Sequence, residues 1–300
     1  MPERRPPRIL VVGANGQVGH ELMRTTEALG HVTGVARGQL DLADATRIRS
    51  CLDQVKPDLV INAAAYTAVD AAEQDEARAM AINADAPGVM AEECRRLGAL
   101  LVHYSTDYVF DGSKTTSYVE ADAPAPLSAY GRSKLAGERA IAQAGCAHVI
   151  FRTSWVYGVR GKNFLLTMLR LIGERDEIRV VADQHGAPTW SRTIAGMTSL
   201  ALARGVRGVV DLDWWRQHSG IYHLTAAGET SWAGFAGAIA DLAPLPRKAL
   251  VIPITTAEYP TPARRPANSR LAMGKLESTF GIAAPDWHAA LGRCLADKFV

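Results

Sequence analysis

A short apolar run that ends in a glycine-rich segment constrains the fold more than any other feature of the chain. Residues 9–12 are Ile, Leu, Val and Val; Gly13, Gly16 and Gly19 follow, and then a helical pattern that closes at Gly30. A strand, a tight turn and a helix in this order bring backbone N–H groups to the positive end of the helix, where a pyrophosphate can bind. Such a turn needs glycine with or without a ligand, but the strand and helix around it favour dinucleotide binding.

Apolar runs and helical patterns continue to alternate along the chain. Predicted strands span 32–36, 59–61, 100–104 and 148–152, and predicted helices span 42–55, 80–98 and the segment after 128. Beyond these we expect helices at 163–173, 193–204, 231–242 and 285–299, and strands at 178–181 and 220–224. This alternation predicts an α/β fold built on a Rossmann-type, doubly wound parallel sheet. We assign residues 1–157 to a dinucleotide-binding Rossmann domain and 158–300 mainly to a smaller α/β C-terminal substrate lobe, from which later segments can return to the first domain.

The composition is that of an ordinary globular protein of 300 residues with a net charge of +2. The arginine-rich start, with Arg4, Arg5 and Arg8, is too short for an arm that binds nucleic acid, so we expect no nucleic-acid partner. No apolar run is long enough to cross a bilayer, and the start lacks the apolar core of a secretory signal, so we expect no membrane partner. The four cysteines match no metal spacing and indicate reduced thiols in a cytoplasmic protein.

Tyr130 and Lys134 lie four residues apart on a predicted helix that Ser128 can cap, so their side chains share one face. A tyrosine has an ordinary pKa of about 10, and a nearby cation lowers it, which suits a phenol for proton transfer. A tyrosine and a lysine with this spacing also occur on many amphipathic helices. Thr106 follows the predicted strand 100–104 and is placed to hold a substrate carbonyl near Tyr130. Alternatively, this segment is a polar strand end with Asp107 capping the next turn.

Several other segments allow two interpretations. Residues 62–66, after the strand 59–61, are Asn-Ala-Ala-Ala-Tyr; they either leave room for a ligand at the end of the sheet or begin an alanine-rich helix. Trp155 either packs in the core or forms a wall for a sugar or base. Arg265 and its neighbour Arg264 either grip a diphosphate or are solvated. His185 lies in a polar loop and is interpreted as a bystander.

Together, these residues resemble the extended short-chain dehydrogenases/reductases and, within them, the dTDP-4-dehydrorhamnose reductases. The glycine loop with Tyr130 and Lys134 is common to extended members. The more specific motifs run in order through the chain: GQVG at 16–19, NAAAYTAVD at 62–70, STDYVFDG at 105–112, RTSWVYG at 152–158, GKNF at 161–164, DQHGAPT at 183–189 and RPANS at 265–269. Their collinear order makes a chance match untenable.

The resemblance implies reduction of the 4-keto group of dTDP-4-dehydro-L-rhamnose to dTDP-L-rhamnose, with Tyr130, Lys134 and Thr106 as catalytic residues. It implies that Tyr130 protonates the developing alkoxide, while Lys134 lowers the pKa of the phenol and contacts the nicotinamide ribose. Expected cofactor-binding residues are Gly13, Asn15, Gly16, Gln17, Val18, Gly19, Arg37, Asp41, Leu42, Ala63, Ala64, Ala65, Tyr66, Tyr130 and Lys134. Expected substrate-binding residues are Thr106, Asp107, Trp155, Asn163 and Arg265.

Two details set this sequence apart. Some family members form dimers bridged by Mg²⁺ on glutamates, whereas Arg192 stands in the corresponding region here, and an arginine cannot ligate magnesium. We therefore expect no metal site, and a homodimer stays open. Arg37, at the end of the second predicted strand and without an adjacent acid, predicts a preference for NADPH, with NADH as an alternative, because an arginine there accommodates a 2′-phosphate. The resemblance places Asp41 by the adenine.

Two rival functions remain at this point. The first is reduction or epimerisation of another nucleotide sugar, which would use the same catalytic pair. The second is a non-catalytic subunit that senses a nucleotide. The presence of Thr106, Tyr130 and Lys134 together argues against the second rival, because a pure binder has no need of all of them.

Overall fold

The computed structural model describes residues 5–299, so Arg4 of the arginine-rich start lies outside the described residues. The strands are β1 (Arg8–Val12), β2 (His31–Val35), β3 (Leu59–Asn62), β4 (Leu100–Thr106), β5 (His148–Thr153), β6 (Val156–Tyr157), β7 (Glu177–Val181), β8 (His185–Gly186), β9 (Thr189–Trp190), β10 (Gly220–His223), β11 (Thr230–Ser231) and β12 (Leu250–Ile254). The helices are α1 (Gln17–Thr25), α2 (Ala45–Val55), α3 (Val69–Ala72), α4 (Glu76–Met80), α5 (Ala86–Leu97), α6 (Ala129–Ala144), α7 (Phe164–Glu174), α8 (Ser191–Gly205), α9 (Leu212–Gln217), α10 (Trp232–Leu242), α11 (Gly274–Phe280) and α12 (Trp287–Phe299).

Six of these strands form one parallel sheet in the order β2-β1-β3-β4-β5-β10. The chain moves outward in opposite directions from β1 and β3, which makes the sheet doubly wound, as the sequence predicted. Ligands of such sheets bind beyond the carboxyl ends of the strands at this switch point. The register pairs Val12 with Asn62, and Asn62 with His103, so these three residues stand in a row at that edge.

Alternate residues of the strands pack against helices on the two faces of the sheet. Ile9 and Val11 of β1 join Leu22 of α1 and Ile194 of α8 in one core cluster. The intervening Leu10 joins α2, α5 and α6 in a second cluster on the opposite face. Because both faces are covered, the central strands are apolar along their length, which is the pattern read from the sequence.

A separate core cluster holds a smaller α/β unit together. It is built from α7, α10, α12 and the parallel pair β7–β12, and its buried residues include Leu165, Ile178, Phe235 and Leu291. From the region assigned to the substrate lobe, β10 returns to the edge of the central sheet beside β5, and α8 packs on α1. The boundary between 157 and 158 stays a prediction.

The helix predicted at 80–98 begins earlier and is not uniform. It starts with α4 and continues through α5, with a π-helical turn at Ala81–Asp85 between them. Single π turns inside α-helices are frequent at functional sites. Within the described residues, no helix is long and apolar enough to span a bilayer.

Candidate active site

A cavity of about 630 Å³ opens at the carboxyl ends of β1 to β5, at the switch point of the sheet. Most of the residues predicted to bind a cofactor line it: Gly13, Asn15, Gly16, Gln17, Val18, Arg37, Asp41, Leu42, Ala63, Ala64, Ala65, Tyr66, Tyr130 and Lys134. The glycine loop and the Tyr130–Lys134 pair are separated by more than a hundred residues in the sequence, and the fold brings them to one cavity.

The glycine loop is shaped for close backbone approach. Gly13 has a φ of +84°, and a Cβ atom there would lie 2.8 Å from the backbone nitrogen of Ala64. Gly19 does not line the cavity; a Cβ atom there would lie 2.1 Å from the carbonyl oxygen of Gly13, so this glycine lets α1 pack on the strand end. Gly16 caps α1 without a side-chain hydrogen bond, which leaves the first N–H groups of the helix available to an anion. These residues fit the pyrophosphate of a dinucleotide.

Positive charge borders the part of the cavity next to β2. Arg37 lines the cavity, and no ion pair involves its guanidinium within residues 5–299. Asp41 also lines the cavity, but its carboxylate accepts a hydrogen bond from the backbone N–H of Ala43. Lys162 lines the cavity as well and was not singled out from the sequence, although it belongs to the quoted GKNF segment.

The segment after β3 is a loop, so the alternative of an alanine-rich helix start at 62–66 is wrong. Asn83, in the π turn, holds this loop by accepting from the backbone N–H of Tyr66 at 2.8 Å and donating to its carbonyl at 3.0 Å. The amide of Asn83 also donates to the hydroxyl of Ser133 on α6 at 3.0 Å. Sequence analysis missed Asn83, since a single asparagine in a helical pattern carries no local signal of this role.

Lys134 lines the cavity and is buried, with 1% of its surface exposed. Its ammonium nitrogen lies 2.6 Å from the carbonyl oxygen of Tyr104 and 3.0 Å from Nε2 of His103. Burial lowers the pKa of Lys134 to about 8, although the carboxylate of Glu138 acts in the opposite direction. Burial therefore makes this ammonium more acidic than that of an exposed lysine.

Tyr130 lines the same cavity, but its pKa is raised rather than lowered. Burial is the main cause, the hydroxyl of Thr106 lowers the pKa in part, and the carboxylate of Asp107 raises it. Within the site, the nitrogen of Lys134 is hydrogen-bonded to the Tyr104 carbonyl and to His103. That Lys134 lowers the pKa of the phenol in the reaction stays a prediction. At neutral pH the phenol thus retains the proton that a general acid must give.

Thr106 is the last residue of β4, Asp107 follows it, and both are almost fully buried. The hydroxyl of Thr106 donates to Oδ1 of Asp107 at 2.9 Å and accepts from the backbone N–H of Tyr108 at 3.1 Å. Thr106, rather than Asp107, therefore caps the short turn Asp107–Val109. Burial raises the pKa of Asp107 to about 6, against the hydroxyls of Ser269 and Thr106, and its Oδ2 has no hydrogen-bond partner within the described residues.

None of the five predicted substrate residues, Thr106 and Asp107 included, belongs to the cavity lining. Trp155 adopts a φ of +49° and stacks on Trp232, with ring centroids 3.6 Å apart. Asn163 caps α7 and donates to the side chain of Gln17 at 2.8 Å. The guanidinium of Arg265 binds the carboxylate of Asp70 at 2.8 Å. A substrate role for these residues, and for Thr106 and Asp107, stays a prediction.

Two buried hydroxyls of the cavity lining were not predicted. Ser105 at the end of β4 and Thr153 at the end of β5 have side-chain oxygens without a hydrogen-bond partner within residues 5–299. Buried hydroxyls are normally paired, so these oxygens are available to a ligand. Both residues belong to sequence motifs named above, at 105–112 and 152–158, and these motifs could have indicated them.

Arg192, which the family resemblance sets in a region of expected metal-binding glutamates, is paired with two carboxylates. Arg192, at the start of α8, donates to Glu21 of α1 at 3.1 Å and forms a second ion pair with Asp297 of α12. Across residues 5–299, no group of three or more His, Cys, Asp and Glu side chains is arranged to hold a metal ion.

Comparison with known proteins gives a consistent result along the whole chain. Residues 7–299 match the family model described as the RmlD substrate binding domain. A dTDP-4-dehydrorhamnose reductase of Burkholderia thailandensis is 52% identical over 297 residues, covering 97% of this chain and 98% of the relative. The chain belongs to the dTDP-4-dehydrorhamnose reductase family. The dTDP-4-dehydrorhamnose reductase of Escherichia coli is 41% identical over 300 residues, with the same coverage.

A solved structure of the dTDP-4-dehydrorhamnose reductase family has the same fold. The enzyme of Bacillus anthracis, crystallised in complex with NADP, superposes with a TM-score of 0.87 at 34% identity, covering 97% of this chain and 99% of that one. The family resemblance and the α/β fold class read from the sequence are therefore confirmed.

Proposed function

We propose that this chain reduces the 4-keto group of dTDP-4-dehydro-L-rhamnose to give dTDP-L-rhamnose, with NADPH as the preferred hydride donor. The observation that carries the proposal is the meeting of Tyr130, Lys134 and the glycine loop in one cavity, in a chain that matches dTDP-4-dehydrorhamnose reductases over its whole length. The nucleotide sugar is the proposed small-molecule partner.

The cavity supplies the groups that a nicotinamide dinucleotide needs. The free N–H groups at the start of α1 suit the pyrophosphate, and Arg37 suits an adenosine 2′-phosphate. Ala64, Tyr66 and Lys134 line the same cavity and would hold the nicotinamide half of the cofactor. When bound, a reduced nicotinamide supplies the hydride that is added to the ketone carbon. The NADP in the Bacillus anthracis relative supports the same choice here.

Tyr130 completes the reduction by giving its proton to the oxygen of the former ketone. The raised pKa of the phenol keeps the proton in place until the alkoxide develops negative charge, which is the stronger base. The hydroxyl of Thr106 lies beside the phenol. We propose that it turns from Asp107 to the carbonyl oxygen of the substrate during the transfer. Water or buffer then returns a proton to Tyr130 for the next turnover.

A product assay tests the proposal. The protein is incubated with dTDP-4-dehydro-L-rhamnose and NADPH, and dTDP-L-rhamnose is detected by chromatography and mass spectrometry, with a Lys134→Met variant as the control. Stoichiometric loss of NADPH and formation of dTDP-L-rhamnose are expected. If no such product forms while a 4-keto sugar on another nucleotide is reduced, the substrate assignment is wrong; if no keto sugar is reduced but nucleotide still binds, the chain is a sensor.

The setting of the enzyme is part of the same proposal. Cys51, Cys94, Cys146 and Cys294 are unpaired, and free thiols persist in the reducing cytoplasm, which supports a cytoplasmic location. A homodimer is the assembly we propose to test, and light scattering of the purified protein at several concentrations decides it. Cell fractionation with an antibody checks the location.

A further inference from the structure

The loop between β6 and α7, residues 158–163, lies against the first residue of α1. A Cβ atom on Gly161 would lie 3.6 Å from Cγ of Gln17, and a Cβ atom on Gly158 would lie 3.6 Å from its Oε1. Gln17 begins the helix whose first backbone N–H groups are free for an anion. The loop therefore borders the end of the cavity where the pyrophosphate of a dinucleotide is expected.

The side chain of Asn163 holds this loop in place. Its NH₂ group donates to Oε1 of Gln17 at 2.8 Å and to the backbone carbonyls of Gly158 and Arg160 at 2.9 and 3.0 Å. Its Oδ1 accepts from the backbone N–H of Leu166 at 3.1 Å and so caps α7. Both ends of the amide are thus used within the chain, and they join the loop to α1 on one side and to α7 on the other.

The loop carries positive charge without a counter-ion. Lys162 lines the cavity, and its exposed ammonium takes part in no hydrogen bond or ion pair within residues 5–299. Arg160 forms no ion pair in that part of the chain either. Burial and then the charge of Arg160 lower the pKa of His20, so the charge of the loop acts on α1. An anion at this end of the cavity would meet both the helix N–H groups and the loop cation.

We propose that Lys162 is a cofactor-binding residue whose ammonium binds the pyrophosphate of the nicotinamide dinucleotide, and that Asn163 positions it by holding the loop against Gln17. A lysine suits this contact because it is a compact charge on a flexible stem, and an exposed ammonium loses little solvation on meeting a phosphate. The inference rests on the dinucleotide of the proposed function, but not on which sugar is reduced.

The proposed contact differs from that of Arg37 in a measurable way. The pyrophosphate is common to NADPH and NADH, whereas only NADPH carries the 2′-phosphate expected at Arg37. Lys162 should therefore strengthen the binding of both cofactors by the same factor. Because the ammonium is exposed, salt should weaken its contribution.

Fluorescence titration of the protein with each cofactor, without sugar, tests the inference. Lys162→Met removes the charge and keeps the length of the side chain; Kd should rise about fivefold or more for NADPH and NADH alike. The Kd of the unmodified protein should also rise more steeply with NaCl than that of the variant. Lys162→Arg should restore most of the affinity. Lys298→Met, which removes an exposed lysine on α12 outside the cavity lining, is the control and should leave both Kd values unchanged.

Asn163→Ser tests the positioning role. A serine hydroxyl can still cap α7, but the NH₂ group that holds the loop is lost. The variant should bind both cofactors more weakly, and adding Lys162→Met to it should cost less affinity than the same substitution costs in the unmodified protein, because the loop no longer holds the lysine at the site.

Three results would contradict the inference. Unchanged Kd values in Lys162→Met exclude the contact, and a loss for NADPH alone assigns the lysine to the 2′-phosphate instead. Additive effects of Lys162→Met and Asn163→Ser remove Asn163 from the positioning role. Since no sugar is present, the titrations decide the role of Lys162 even if the protein reduces no keto sugar, and an unmodified protein that binds neither cofactor overturns the inference.

Discussion

The phenol of Tyr130 is the proton donor in the proposed reaction, so its removal should affect the chemical step alone. Tyr130→Phe keeps the ring that borders the cavity and deletes the hydroxyl; we expect kcat to fall about 10²–10⁴-fold, the usual contribution of general acid catalysis. NADPH affinity, measured by fluorescence titration, should stay close to that of the unmodified protein. If the variant has the same kcat as the unmodified protein, Tyr130 is not the proton donor.

Arg37 is expected to select NADPH over NADH. A charge-assisted hydrogen bond to the 2′-phosphate is worth about 1.5–3 kcal/mol, or about ten- to a hundredfold in affinity. Arg37→Ala should therefore lower kcat/KM for NADPH by that factor and leave the value for NADH nearly unchanged. Arg170→Ala, an exposed arginine on α7 paired with Glu174, is the matched control. Equal kcat/KM for both cofactors before substitution, or the same ratio after it, contradicts the assignment.

Ionisation of Asp107 should lower the free energy of unfolding as the pH rises. Its folded pKa is raised from 3.8 to about 6, so between these values the folded state holds a proton that the unfolded state has released. Stability is highest below the unfolded pKa and falls as the pH passes through about 4 to 6. Asp107→Asn removes this titration. The free energy of unfolding of the variant minus that of the unmodified protein should therefore increase by about 2–3 kcal/mol as the pH is raised from 4 to 7.

Urea unfolding at several pH values measures this difference, and the exposed Asp241→Asn serves as a control that should follow the unmodified curve. A relative stability of Asp107→Asn that does not change with pH would show that the carboxyl titrates normally. We propose that the unpartnered Oδ2 accepts from a hydroxyl of the sugar, so the same substitution should also reduce kcat/KM.

At the scale of elements, the sequence predicts well those features that depend on neighbouring residues, such as helix caps, central strands and the glycine loop. Ser128 was predicted to cap a helix, and its side chain accepts from the backbone N–H of Gly131. The apolar runs gave the central strands to within about two residues, because burial on both faces leaves little room for polar residues. The glycine loop was also predicted from the sequence, since its backbone shape depends on its own glycines.

Features that depend on distant contacts were not predictable. The π turn at Ala81–Asp85 has an ordinary helical sequence, and its role comes from the bonds of Asn83 to a loop and a helix elsewhere in the chain. The return of β10 to the sheet depends on pairing with β5 about seventy residues earlier. The direction of Lys134 is decided by His103, whose position on β4 no spacing rule connects to it.

The π turn yields a prediction of its own. Asn83→Ala removes the hydrogen bonds that hold Tyr66 and Ser133 and leaves buried partners unsatisfied, so the free energy of unfolding should fall by about 1–3 kcal/mol. Because Tyr66 lines the cavity, KM for NADPH should rise more than kcat falls. Glu92→Ala on α5 removes only an exposed ion pair and is the control, with an expected cost of about 0–1 kcal/mol. An unchanged KM would separate the π turn from cofactor binding.

At the scale of the whole molecule, Arg192 connects elements from the beginning, middle and end of the chain. From the start of α8 it binds Glu21 on α1 and Asp297 on α12, and its guanidinium lies over the ring of Trp190. The first helix of the dinucleotide-binding half is thus tied to the last helix of the smaller unit. Carboxylates that could attract a cation in this region are already paired with a cationic side chain.

Activity should therefore not depend on a divalent metal. A guanidinium offers no lone pair to Mg²⁺, which takes oxygen ligands, and it repels a cation from the carboxylates of Glu21 and Asp297. Proton transfer from Tyr130 also needs no Lewis acid, because the phenol neutralises the charge on the alkoxide itself. We expect kcat/KM and the molar mass from light scattering to be the same in buffer with EDTA and in buffer with Mg²⁺. A magnesium-dependent kinase assayed in the same EDTA buffer should lose its activity, which shows that the metal has been removed. Activity lost in EDTA and restored by Mg²⁺ would show that a metal serves this enzyme despite Arg192.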